Sequence, residues 1–418
     1  MLSKLSNPNG NLPANAEVIA ELDVQNQKGR IEKYIEHKLS SLKSSKFSNT
    51  YTEEILNGML HEFRERAEDN LLWVSLVFRD IQGMRGRYAA KNIKNYPPGL
   101  SKLYDHKMPR IENVQSEHLQ PCKDVLAVAS LAYRPLSLSE LAILACLSDD
   151  TDPWMIVEKC DSFLTIKEET VYLVHKSAKD YLMKKFESKL HSAGVIQWHT
   201  DIYRRSIDAL STLKQDIYDL GDFGFRSKDT QPPDPDLLAP MRYSCLFGVD
   251  HLCDASKPND KLADNEVVWS FLKDHLLHWL ESLSLLGRLP DSVRSIRRIL
   301  QEVYALRSQL NINTKRHQLQ SSISPQLIRF LKDIEKFIFS YGSIIDRAPL
   351  QAYGSALVFS PRLSEVKIQQ WNEKLSFIKD IDGIKDHDVH LQTLEGHSNS
   401  VTAIAFSPDG RTLAFGVI

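Results

Sequence analysis

Ser162-Phe-Leu-Thr-Ile-Lys-Glu-Glu-Thr-Val-Tyr-Leu-Val-His175 holds two short β-prone runs, 162–166 and 171–174, on either side of a polar Lys167-Glu-Glu-Thr170 turn. That is the signature of a hairpin. Upstream, Val125 to Tyr133 reads as a helix that Arg134-Pro135 breaks, because proline restricts the residue before it and has no amide to donate. Ser137-Leu-Ser-Glu140 then forms a capping box, in which hydroxyl and carboxylate each satisfy an orphan amide at the start of a helix from Glu140 to Leu147. Helix, helix, hairpin is the order of a winged helix. His175-Lys-Ser-Ala-Lys-Asp-Tyr-Leu182 leads out of the wing into another helix.

Outward from this unit the chain reads as mainly α. Ile31, Tyr34, Ile35 and Leu39 recur at helical spacing after a short strand-like run, Val18-Ile-Ala-Glu-Leu22. From Tyr51 to about Gln82 the pattern is helical throughout, and Leu71-Leu-Trp-Val-Ser-Leu-Val-Phe78, apolar nearly all round, predicts a buried helix. Tyr96-Pro-Pro-Gly99 punctuates the chain, and Leu100, Leu103, Met108 and Ile111 start the next helix. Beyond Val195 the pattern stays helical to about residue 340, with one clear interruption at Asp219 to Pro240. Two stripes stand out there, one through Leu272, Leu276, Trp279 or Leu280, Leu283 and Leu286, the other through Leu327, Phe330, Leu331, Ile334, Phe337 and Ile338. A last helix is expected around Leu363 to Ile378.

At 418 residues the chain has room for two to three domains. Its 52 basic and 54 acidic residues leave a net charge of −2, which gives no general pull toward nucleic acid or an anionic membrane. Between residues 122 and 189, nine lysines and arginines stand against eleven aspartates and glutamates, so the winged helix reads as structural and not as a reader of DNA. Five scattered cysteines fit reduced thiols, and with no apolar leader or membrane-length span the expected location is cytoplasmic. No Gly-Lys pair occurs, so the phosphate-cradling loop of an NTPase is absent, and no hydrolase elbow or zinc-protease motif is present. The expectation is therefore a non-enzyme with no catalytic residues and no cofactor. Cys245, His251 and Cys253 lie close in sequence, but ordinary buried thiols with a surface imidazole are favoured over zinc. His275 and His278 read as a solvated helix edge. His175 alone has a sharp functional alternative, as an imidazole aimed out of the domain at a ligand; a histidine bonded within its own helix start is favoured.

The C-terminal stretch Leu394-Glu-Gly-His397, Val401-Thr-Ala-Ile-Ala-Phe406, Ser407-Pro-Asp-Gly410 and Arg411-Thr-Leu-Ala-Phe-Gly416 looks like the first two strands of a WD-repeat blade, with Asp409-Gly410 at the turn. Together with Leu131 to Leu141, Cys160 to Ile166, Val174 to Leu182, His278 to Leu286, Ala348 to Tyr353 and Ser355 to Pro361, it gives a chain that resembles, from about residue 18 onward, fungal NACHT/WD-repeat proteins of the vegetative-incompatibility type. These are STAND signalling switches. The resemblance implies a remnant of the NACHT core at 1–50, a helical domain at 51–98, a winged helix at 99–190, an α-helical spacer at 195–380 and a partial first WD repeat at 391–418, whose Val401, Ile404 and Phe406 are expected to be partly exposed. It also implies a regulatory or interaction role in self/non-self recognition and programmed cell death, with protein partners. By motif the family's nucleotide sensor falls on His175. Since the nucleotide-binding loop is missing, the expectation is a fragment that meets nucleotide only if another chain supplies the core. The alternatives are a truncated gene model of an ATP-dependent switch and a winged-helix nucleic-acid binder.

Overall fold

The computed structural model describes residues 28–44, 46–255, 261–312, 325–378, 401–406 and 413–417. The N-terminal expectations for residues 1–27, including the strand at Val18 to Leu22, lie outside them, as do the turn at Asp409-Gly410 and the exposure of Val401, Ile404 and Phe406. The described residues are mainly α-helical. Among them, no helix is long and apolar enough to cross a membrane.

The first helices are α1 (Lys28–Leu42), α2 (Glu53–Ala67), α3 (Leu71–Ile81), α4 (Gly86–Ile93) and α5 (Leu100–Glu112). The continuous helix expected from Tyr51 to Gln82 is in fact two. Glu68 and Asp69 both adopt positive φ, and Asn70 then caps α3 by accepting the Trp73 amide at 3.0 Å. Local polar side chains of this kind compete with the helix ladder for backbone groups. Within α3 the apolar run is buried as its composition demands, and the fully buried Trp73 donates its indole N–H to the Pro97 carbonyl at 3.0 Å. Thus the Pro97-Pro98 break is tied to the core of the helical region.

Helix α4 was not read from the sequence, because its buried face is only Gly86, Ala89 and Ile93. Gly86 donates to Thr50 Oγ1 at 2.8 Å, and a Cβ at this position would overlap the Thr50 carbonyl. Gly86→Ala is accordingly expected to cost about 1–3 kcal/mol, the range for overpacking a tight contact. A drop in the urea midpoint at unchanged m-value would show it; a stability equal to wild type would refute the close approach.

Next come α6 (Ser116–Leu131), β1 (Leu136–Ser137), α7 (Leu138–Leu144), α8 (Pro153–Lys159), β2 (Leu164–Lys167), β3 (Thr170–Leu173) and α9 (Lys176–Lys184). Helix α6 starts earlier than the expected Val125, α7 is shorter than the expected helix to Leu147, and α8, capped by Asp152, is an addition. The capping box is complete: Glu140 N donates to Ser137 Oγ at 3.2 Å, and Ser137 N to Glu140 Oε2 at 2.9 Å. β2 and β3 pair antiparallel with Lys167 opposite Thr170, so the connection is two residues long, and both Glu168 and Glu169 carry the positive φ such a turn requires. β1 joins the other edge of β3, with Leu136 opposite Val171, giving the order β1-β3-β2.

Helices α10 (Gly194–Leu210), α11 (Arg242–Asp254), α12 (Lys261–Leu285), α13 (Pro290–Ile312), α14 (Pro325–Arg347), α15 (Ser355–Phe359) and α16 (Glu365–Gln370) follow, then strands β4 (Val401–Phe406) and β5 (Leu413–Val417), paired antiparallel. The helical run has a further break at Gly287, whose φ is +64°. The last helix is only six residues long where one of about sixteen was expected, and a 3-10 turn at Trp371–Glu373 follows it. In the α12 stripe, Leu272, Leu276, Leu280 and Leu283 are buried, and all six of the α14 stripe are.

Buried apolar residues fall into two clusters, one from Ile31 to Ile202 plus Tyr243, the other from Tyr203 to Leu375. Helices α10 and α11 belong to both. α10 gives Trp198 and Ile202 to the first cluster and Tyr203 and Leu210 to the second. In the second, the buried Glu281 accepts from Tyr353 Oη at 2.5 Å and from the amides of Ile217 and Asp216 at 3.0 and 3.1 Å. Burial pushes its carboxyl up to about 7 against the pull of these three donors.

Candidate functional site

His175 is the second of the two residues between β3 and α9, with extended backbone (φ −166°, ψ 162°) as the cap of α9. Its Nδ1 accepts the Ser177 amide at 3.1 Å and lies 2.9 Å from Ser177 Oγ, which in turn sits 3.2 Å from Tyr104 Oη. The histidine is therefore bonded within its own helix start. That bond also fixes the neutral tautomer: with Nδ1 accepting, the proton resides on Nε2. Among the described residues Nε2 has no hydrogen-bond partner, so it remains a donor.

His175 lines a groove of about 330 Å³ together with Arg134, Lys176 and Lys179. Pro135, Leu136, Leu141 and Leu173 supply apolar walls, and no acidic residue lines it. Arg134 is already committed, since its guanidinium bonds the Glu140 carboxylate in a bidentate fork at 2.8 and 2.7 Å. Lys176 and Lys179 have no such partner among the described residues. Two uncompensated ammonium groups and an imidazole N–H around an apolar wall suit an anionic group such as phosphate. The lining holds no carboxylate and no thiol.

The other sequence candidates have different places. Cys245, His251 and Cys253 all lie on α11, and both thiols are buried, which pushes each up to about 12. His251 is not the surface imidazole expected. It is fully buried, with Nδ1 2.8 Å from His199 Nδ1 and Nε2 2.7 Å from Tyr243 Oη. Both nitrogens being used inside the protein, it cannot join the thiols on a metal, and among the described residues no group of three metal-type ligands occurs. Burial first, and the neighbouring His199 second, bring its pKa down to about 3. His199 was missed in the sequence because its partner is 52 residues away. The expected solvated edge at His275 and His278 is also corrected: His278 is 8% exposed, and its Nε2 lies 3.1 Å from Glu373 Oε2, joining α12 to the turn after α16.

No family model matches the chain. It is 34% identical over 428 aligned positions, covering 96% of this chain, to the vegetative incompatibility protein HET-E-1 of Podospora anserina. The chain spans 30% of the length of that curated relative. Along nearly its whole length, then, this chain is similar to a part of a vegetative incompatibility protein.

Proposed function

We propose that this chain is a non-enzymatic regulatory part of a NACHT/WD-repeat signalling switch that acts in fungal self/non-self recognition. The similarity along 96% of the chain to a vegetative incompatibility protein carries this reading. In it, the unit from α6 to α9 is a winged helix, and the groove at His175 is where that unit meets the phosphates of a nucleotide. A nucleotide-binding core in the same parent protein, or in another chain, holds the nucleotide itself. Support comes from the free Nε2 donor beside Lys176 and Lys179, and from the absence of acidic groups on the groove. Protein partners relay the signal.

Titrating the 418-residue chain with ADP and with pyrophosphate, with and without magnesium, tests the reading. Weak, magnesium-independent binding is expected, because phosphate contacts alone hold the ligand. Lys176→Glu with Lys179→Glu is expected to weaken it about tenfold or more, in line with two lost charge-assisted contacts. Tight magnesium-dependent ATP binding with turnover would contradict a non-enzymatic role, and indifference to the lysine changes would remove the groove from it.

A further inference from the structure

A second, larger groove of about 1040 Å³ lies between α2 and α4 and is separate from the His175 groove. Its α4 wall is basic. Arg87, Lys91 and Lys94 recur at i, i+4 and i+7, and all three are exposed, because the alternate face of this short helix is the one that packs inward. Its α2 wall carries two carboxylates, Glu54 and Glu62, with His61 beside the second. Glu62 is already engaged by Arg66 at 2.9 Å and Lys94 at 3.5 Å. Arg87 and Lys91 on one side and Glu54 on the other have no ion-pair partner among the described residues. The floor between the walls is low: Ile55, Ala90 and Gly58, where an added Cβ would meet nothing within 4 Å.

We propose that this groove docks a helix of a partner protein that carries carboxylates along one edge and basic side chains along the other, with small apolar residues between. The two walls decide the class of occupant. A nucleic acid presents the same charge on every side, and the unpaired Glu54 would oppose it. A helix can carry opposite charges on its two edges, matching Arg87 and Lys91 on one wall and Glu54 on the other. Glu54 to Glu62 spans about 12 Å of α2, so the seat accommodates about two helical turns. Exposed ion pairs are individually weak, and such a seat contributes selectivity and encounter rate more than affinity. The proposal does not depend on the nucleotide reading of His175.

The test uses the full chain at low salt and a fluorescein-labelled 16-residue helix with glutamates on one edge, lysines on the other and alanines between. A scrambled peptide of the same composition has no separated edges. The edged peptide is expected to bind at least tenfold more tightly than the scrambled one, and Arg87→Glu with Lys91→Glu is expected to remove that preference. Arg87→Gln with Lys91→Gln serves as a milder pair whose folding circular dichroism verifies. Equal binding of the two peptides, or no binding of either, would overturn the proposal. So would tighter binding of a 16-nucleotide single-stranded DNA that the same lysine and arginine changes abolish.

Discussion

Glu140→Ala is expected to destabilise the chain by about 2–4 kcal/mol, because a buried carboxylate is lost and the groups that donate to it are left without an acceptor, at about 1–3 kcal/mol for an orphaned buried donor. Its carboxylate is nearly inaccessible and accepts four hydrogen bonds, two at each oxygen. Oε1 takes Arg134 Nη2 at 2.7 Å and the Tyr243 amide at 3.0 Å; Oε2 takes Arg134 Nη1 at 2.8 Å and the Ser137 amide at 2.9 Å. Truncation removes one half of the capping box of α7, leaving the Ser137 amide without its acceptor, the guanidinium without its counter-charge and a buried amide at the start of α11 unpaired, and each orphaned donor carries its own desolvation cost. Glu140→Gln keeps the shape but turns one oxygen into a donor facing donors, so a smaller loss is expected. Urea denaturation of the three proteins checks this. An alanine variant within about 1 kcal/mol of wild type would mean that the four bonds do not hold the helix start against α11.

Replacing His251 by Gln is expected to change how stability depends on pH. The folded value of about 3 lies below the unfolded value of about 6.5, so between these pH values the unfolded chain binds the extra proton. The contribution of His251 is fully present above pH 6.5 and is lost as pH falls toward 3. At pH 5 that loss is roughly 2 kcal/mol, from 1.36 kcal/mol per pH unit. Glu281 has the opposite sign: its folded value of about 7 lies above the unfolded value, so its contribution is present below about 4.5 and is lost as pH rises to 7. The two slopes oppose each other in wild type. His251→Gln, which also loses ring packing against Tyr133 and Tyr243, is expected to be the less stable protein at pH 7 and to close the gap by roughly 2 kcal/mol at pH 5. A gap that stays constant across that range would show that His251 does not resist protonation in the fold.

These two residues show how far local pattern reaches. Glu140 was legible as the second half of a capping box, because both partners lie within four residues of one another. Its bonds to Arg134 and to Tyr243, 103 residues away, leave no periodic or short-range trace. His251 was seen only as a neighbour of two cysteines, while its actual partner His199 lies on α10. For His175 both readings are open at the level of local pattern, and the structure supports the one within its own helix start at Nδ1 while leaving Nε2 without a partner among the described residues, beside two lysines. That groove could not have been assembled from the sequence, since Arg134 comes from the turn before β1 and the lysines from α9.

The helical class and the hairpin turn are properties of the sequence by itself, as are the break at Pro97-Pro98, the capping box and the apolar stripes of α12 and α14. Each rests on interactions within a few residues or on a repeat that a helix must obey. The tertiary structure alone decided where helices stop without proline, as at Glu68-Asp69, and that the Gly86 helix exists at all. It also decided which charges are neutralised and which remain exposed. Those outcomes depend on contacts between distant segments, where packing overrides weak local preference and burial, not sequence spacing, sets the protonation of a side chain.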